Sequence, residues 1–227
     1  MRIFWLILLG FSTSALAEER SFEDQVLAVI LANPEIILVA MEKLEAERLA
    51  EEEQAQMQRI SAQAEVLFAD ETTRLVEFVD YRCGYCARSA ADIATLPEAE
   101  KHAIRIIELP ILGDESRQLA EVALGVRIVA GDDAYRDFHF ALFEQVGRIA
   151  SGTLALNLAA DMGFDRARVA EEAASEVVAE ELEQNLMLAR RLGVTGTPAF
   201  VSRQNLHEGL MALPLMRSII NDQEKLQ

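Results

Sequence analysis

The chain has 227 residues, 51% hydrophobic and 26% charged, with 11 glycines and 5 prolines; this is a globular composition and excludes a low-complexity or fibrous chain. With 38 Asp and Glu against 21 Lys and Arg, the formal charge is −17, which repels phosphate-rich surfaces and argues against nucleic acid and anionic lipid as partners. Acidity on this scale serves solubility and carries no information about fold.

Residues 1–17 differ from the rest. Arg2 is followed by an apolar run, Ile3–Phe11, that is too short to span a bilayer as a helix. Ala15-Leu16-Ala17 then gives the small-x-small pattern of a signal peptidase site. The stretch predicts a signal peptide cleaved after Ala17, export, and a periplasmic location in which disulfides persist. An N-terminal membrane anchor is the alternative reading. No cysteine follows the cleavage site, so a lipoprotein is not indicated.

Residues 18–68 read as helical. Ser21 with Asp24 three positions on is an acidic variant of a capping box, and Phe22, Val26, Val29 and Ile30 line one face. Asn33-Pro34 is a second start signal, with Asn as N-cap and Pro at the first helical position. From there to Phe68 the chain has no further Gly or Pro and is dominated by strong helix formers. Ile37, Met41 and Leu44 share a face, Ala50–Gln56 has almost nothing to bury, and Met57, Ile60, Ala64 and Leu67 resume the stripe. A helix so polar at its middle is poorly held alone. The spacing favours self-association into a dimer or trimer through residues 18–68; a solvated helix lying on the main domain is the plainer alternative.

The main domain is expected over 69–227. Arg74–Asp80 reads as a short strand. The only two cysteines follow at once in "YRCGYC" and run into a helix, and Ala103–Pro110 reads as a second strand. Strand, helix, strand is the crossover of a parallel sheet. A helical region follows from about 116 to 192, with Ser151, Asp165 and Gly193 as caps. Thr197–Ser202 and Gln204–Gly209 then read as a hairpin turning near Arg203, before a closing helix.

A disulfide between Cys83 and Cys86 would close almost no loop and add little stability. Zinc wants four ligands, and His102, His139 and His207 are scattered, so no metal site is expected. Haem attachment needs His after the second cysteine, where Ala87 stands. A redox pair remains. At a helix start, free backbone N–H groups and the macrodipole favour an anion at Cys83, and the thiolate is the form that attacks disulfides. Cys86, nearly one turn on and buried behind it, would release the mixed disulfide. Gly84 and Tyr85 between them would tune the reduction potential. The rival reading is a binding protein, since two thiolates this close suit Cu(I).

"FVDYRCGYC", "ELPILG" (Glu108–Gly113) and "LGVTGTPAFV" (Leu192–Val201), in this order, resemble the DsbA-like branch of the thioredoxin superfamily, especially its ScsC-like members. The resemblance covers nearly the whole mature chain. It implies an α/β thioredoxin-like fold with a helical insert and an N-terminal helical extension, no cofactor, and exchange with protein thiols and disulfides. Cys83 matches the nucleophile and Cys86 the resolving cysteine. Thr197-Pro198 matches the loop whose cis proline lies beside the nucleophile and whose preceding residue pairs with substrate, with Gly84 and Tyr85 also facing it. Glu77, in a strand otherwise suited to burial, matches an acid that relays protons for the second thiol, and Glu108 is a weaker candidate of the same kind. Arg82 and Arg88 flank the pair and either hold the thiolate or are solvated. The Gly-Tyr dipeptide departs from the Pro-His of strongly oxidising members. Several sites facing a shared space would suit isomerase or reductase work over oxidation, and a membrane redox partner is implied.

Overall fold

A computed structural model describes residues 21–222; the signal-peptide reading of 1–17 lies outside them. The chain divides into two compact units, Met1–Glu51 and Glu52–Gln227.

In the first unit, α1 spans Phe22–Ala32 and α2 (Glu35–Ala62) begins. The Ser21 hydroxyl accepts from the Asp24 amide at 3.2 Å and donates to the Asp24 carboxylate at 2.9 Å. Its side chain therefore caps α1. Asn33 departs from its predicted role. Its side-chain amide donates back to the Val29 carbonyl at 2.9 Å, closing α1 rather than opening α2. No residue of α1 is buried, and Phe22, Leu31, Leu38, Val39, Met41 and Leu44 are all more than half exposed.

The stretch read as helical up to Phe68 is not one continuous helix. α2 ends at Ala62, and after a kink at Gln63 a short α3 spans Ala64–Leu67. Ile60, Leu67 and Phe68 are buried in one apolar cluster with Val76 and Phe78. Residues 52–68 thus belong to the second unit because their apolar side chains complete its core.

The sheet is built from β1 (Leu75–Val79), β2 (Ile104–Glu108), β3 (Ala199–Val201) and β4 (Leu206–Glu208), in the order β2-β1-β3-β4. β1 and β2 are parallel, and the other pairs are antiparallel. Between β1 and β2 run α4 (Gly84–Ala94) and a short α5 (Glu98–His102), the latter not foreseen. The helical insert is α6 (Asp114–Ala130), α7 (Asp132–Glu144), α8 (Gly152–Asp161), α9 (Arg166–Ala173) and α10 (Glu176–Leu192). Ser151 and Asp165 cap α8 and α9 with their side chains, and Gly193 ends α10 in the left-handed region that glycine adopts without cost. Gly125 lets α6 lie close on α9, since a Cβ there would stand 2.7 Å from the Val169 carbonyl. The β3–β4 turn is held by Ser202, whose hydroxyl accepts from the amides of Gln204 and Asn205. α11 (Leu213–Asn221) ends the described chain.

Alternation along β1 sorts the core. Val76 and Phe78 face Leu188 and Leu192 of α10 and the Ile60–Phe68 segment. Leu75, Glu77 and Val79 point to the other face. Val79 packs there with Cys86 of α4, Leu119 and Val122 of α6 and Phe138 of α7. Glu77 pairs in register with Ile106, and Val79 with Glu108, so two acids share this buried face across neighbouring strands.

Candidate active site

The site starts where β1 stops. Asp80, buried just past the strand, gathers four donors. Its Oδ1 accepts from the Arg82 amide and the Ser116 hydroxyl, each at 2.7 Å. Its Oδ2 accepts from the amides of Ile111 and Leu112 at 2.8 and 3.0 Å. One carboxylate thus joins the turn after β1, the loop after β2 and the start of α6. The Asp80 carbonyl accepts from the Cys83 amide at 3.0 Å, which sets Cys83 as the N-cap of α4.

Cys83 and Cys86 are both free thiols in different surroundings. Cys83 keeps 8% exposure, while Cys86 has none. The Cys86 amide donates to Cys83 Sγ at 3.4 Å, so an orphan N–H of the helix start points at that sulfur. Cys83 Sγ donates in turn to the Thr197 carbonyl at 3.1 Å, and the Thr197–Pro198 peptide bond is cis. Burial pushes the Cys86 thiol up, with a backbone hydrogen bond from Asp80 opposing it. Of the two sulfurs, only Cys83 is therefore both reachable and supplied with a donor.

Gly84 and Tyr85 are exposed beside Cys83, Tyr85 by 62%. Ile111 and Leu112, pinned to Asp80, are partly exposed as well. Arg82 lies 3.7 Å from Glu115 in an exposed ion pair, and Arg88 is exposed.

Glu77 is fully buried beneath α4. Its Oε1 accepts from the Ser89 hydroxyl at 2.6 Å, and Ser89 shares the buried stripe of α4 with Cys86. Burial raises its carboxyl to about 7, with the Ser89 bond working the other way. Glu108 has a different setting. It accepts from the hydroxyls of Tyr81 and Tyr135 at 2.7 and 2.6 Å, and Tyr81 also meets His139 Nδ1 at 3.0 Å. The predicted residues Glu77, Cys83, Cys86, Thr197 and Pro198 all lie on the α4 side of the sheet or at its end. Asp80, Ser89, Tyr81, Tyr135 and His139 were not singled out for the site. Asp80 alone carried a local signal, as an acid at a strand end immediately before the C-x-x-C turn.

A C-x-x-C pair opening a helix after a parallel strand, with the first sulfur bonded to the carbonyl preceding a cis proline, defines a thioredoxin-like disulfide-exchange site. The chain belongs to the family described as the DSBA-like thioredoxin domain, whose model matches residues 74–221, and it is a DsbA-like thiol–disulfide oxidoreductase acting on protein thiols and disulfides. No curated protein sequence matches it. Among solved structures it is similar to the thiol-disulfide exchange protein alpha-DsbA2 from Wolbachia pipientis, at 26% identity and a TM-score of 0.65 over 74% of this chain and 96% of that one. A thioredoxin-like oxidoreductase from Silicibacter pomeroyi is 30% identical, with a TM-score of 0.59 over 69% and 94%. The fold is also that of Proteus mirabilis ScsC, seen in a transitional conformation, at 24% identity and a TM-score of 0.59 over 92% and 97%.

Proposed function

We propose that the protein is exported to the periplasm after cleavage at Ala17, and exchanges disulfides with client proteins by attack from Cys83 and release by Cys86. The asymmetry of the pair supports this reading most: the reachable sulfur receives an amide hydrogen bond at 3.4 Å, while its neighbour is buried and protonated. The thiolate of Cys83 attacks a client disulfide, one client sulfur leaves as a thiolate, and a Cys83–client mixed disulfide forms. Cys86 then loses its proton and attacks Cys83 Sγ. The client's second sulfur leaves, and the Cys83–Cys86 disulfide remains. Run backwards, the same steps oxidise a client.

Cys86 needs a base nearby, because burial disfavours its thiolate. Glu77, raised to about 7 beneath the same helix face, is poised near neutral pH to take that proton. Thr197 and Pro198 form the rim against which an extended client strand would lie, with Gly84 and Tyr85 opposite. Tyr85, Ile111 and Leu112 give that rim an apolar character suited to unfolded or misfolded chains.

The exposed apolar residues of the first unit support self-association through the N-terminal helices, as a dimer or trimer. Several CGYC sites held together favour isomerase or reductase work over net oxidation, with a membrane protein setting the redox state. The test is recovery of activity from scrambled ribonuclease by the reduced protein, alongside insulin reduction. Cys83-dependent activity in either assay supports exchange; tight Cu(I) binding with neither activity favours copper holding by the same two thiols.

A further inference from the structure

Glu108 ends β2 in a closed setting. Its Oε1 takes both tyrosine hydroxyls, while Oε2, also buried, has no hydrogen-bond partner among the described residues. Tyr81 precedes Cys83 by two residues in the turn that carries it. Tyr135 and His139 stand one turn apart on α7, both buried. The carboxyl thus ties the redox turn to the helical insert through side chains alone.

Two proton arrangements satisfy the same three contacts. In the first the carboxylate is ionised: Tyr81 and Tyr135 donate to Oε1, and His139 donates from Nδ1 to the Tyr81 oxygen. In the second the carboxyl holds a proton and donates to the Tyr81 oxygen, Tyr81 donates to His139 Nδ1, and Tyr135 still donates to Oε1. The two differ by one proton, and no heavy-atom contact is lost between them. The first leaves a charge with an unpartnered oxygen in an apolar core, the second a neutral carboxyl, so burial selects the second. Burial accordingly raises Glu108 to about 8 and lowers His139 to about 3, leaving the imidazole neutral and able to accept.

The charged groups facing this cluster do not reverse the preference. Arg127 of α6 favours the ionised carboxylate, but it is paired with Glu181 of α10 and lies 5.8 Å over the Tyr135 ring. Asp80, in the turn, disfavours a second negative charge, and Arg136 disfavours a positive one on His139. From α10, Asn185 donates to the Glu108 backbone carbonyl at 3.1 Å.

We propose that Glu108 is a positioning residue for disulfide exchange: it fastens Tyr81, and with it the turn bearing Cys83, to the helical insert, and it does so in its protonated form. This rests on Cys83 being the attacking thiol. Ionisation strands a charge on the unpartnered Oε2 in the apolar core, which only opening of the cluster to water relieves, so the turn's hold weakens as the proton leaves.

The test compares insulin reduction by wild type, Glu108→Gln and Tyr81→Phe on both sides of pH 8. Glutamine keeps the shape and an acceptor oxygen and cannot ionise. The ratio of wild-type to Glu108→Gln rates should fall roughly fivefold as pH passes the transition, the rate equivalent of one net hydrogen bond. Tyr81→Phe should be slower by a similar factor throughout and should lose the step. A pH-independent ratio, together with wild-type rates in Tyr81→Phe, would overturn the proposal. Should Glu108→Gln fail to fold, Tyr81→Phe decides alone, by its rate and by the loss or survival of the pH step. If wild type itself shows no Cys83-dependent reduction, the functional reading fails first, and that outcome is seen separately.

Discussion

The backbone amide of Cys86 donates to the sulfur of Cys83, 3.4 Å away, so the second cysteine supports the first before any client arrives. The bond follows from position. Cys83 is the N-cap of α4, and a cap side chain receives the orphan N–H of a residue two or three places on. In most helices that acceptor is an oxygen. Here it is the sulfur of the proposed nucleophile.

Replacing Glu77 by Gln should slow client release more than first attack, because in the proposed reaction it is Cys86 that needs a base within the core. In a rapid-mixing experiment the mixed disulfide on Cys83 should accumulate, with its resolution slowed by roughly tenfold to a hundredfold. Resolution at the wild-type rate would leave Glu77 without a part in proton transfer.

Stability should fall as pH rises across neutrality. Glu77 and Glu108 have native values near 7 and 8 against an ordinary 4.5. Between these limits the native state binds more protons than the unfolded chain, so unfolding free energy declines with rising pH. Below about 4.5 both states are protonated and these two groups exert no slope. Denaturant midpoints measured across this window should flatten stepwise in Glu77→Gln and Glu108→Gln. Slopes equal to wild type in both variants would contradict the assignment.

Asp80→Ala should be among the most damaging single changes. It strands the amides of Arg82, Ile111 and Leu112 and the hydroxyl of Ser116, and should cost about 3 kcal/mol in urea unfolding. The Cys83 turn loses its anchor in the same stroke, so exchange should slow even where the protein remains folded.

Deleting residues 18–51 should reduce the solution mass from oligomer to monomer by light scattering and leave the catalytic unit folded. Deleting 18–68 should unfold it, because Ile60 and Leu67 are core residues. The same number of chains per particle before and after the shorter deletion would end the self-association proposal.

The parts legible in the sequence were those governed by local rules. The C-x-x-C helix start, the hairpin around Arg203, and the caps at Ser151, Asp165 and Gly193 each depend on a few adjacent residues. What escaped depends on tertiary packing. The kink at Gln63 has no Gly or Pro to announce it, and it occurs where Ile60 and Leu67 both enter the core. Asn33 before Pro34 signals a helix start, yet its side-chain amide turns back to close α1. The donors to Asp80 come from positions 82, 111, 112 and 116, which no local pattern links to it. Tyr135 and His139 have ordinary spacing for a buried helix face, and nothing along the chain pairs them with Glu108.

The central claim is that Cys83 attacks and Cys86 releases. It is tested most directly by expressing Cys86→Ala in the native compartment and identifying its mixed disulfides by mass spectrometry. Client adducts on Cys83 are expected that vanish with reductant and are absent from Cys83→Ala. Adducts of equal abundance in Cys83→Ala, carried by Cys86, or none in either variant, would contradict it.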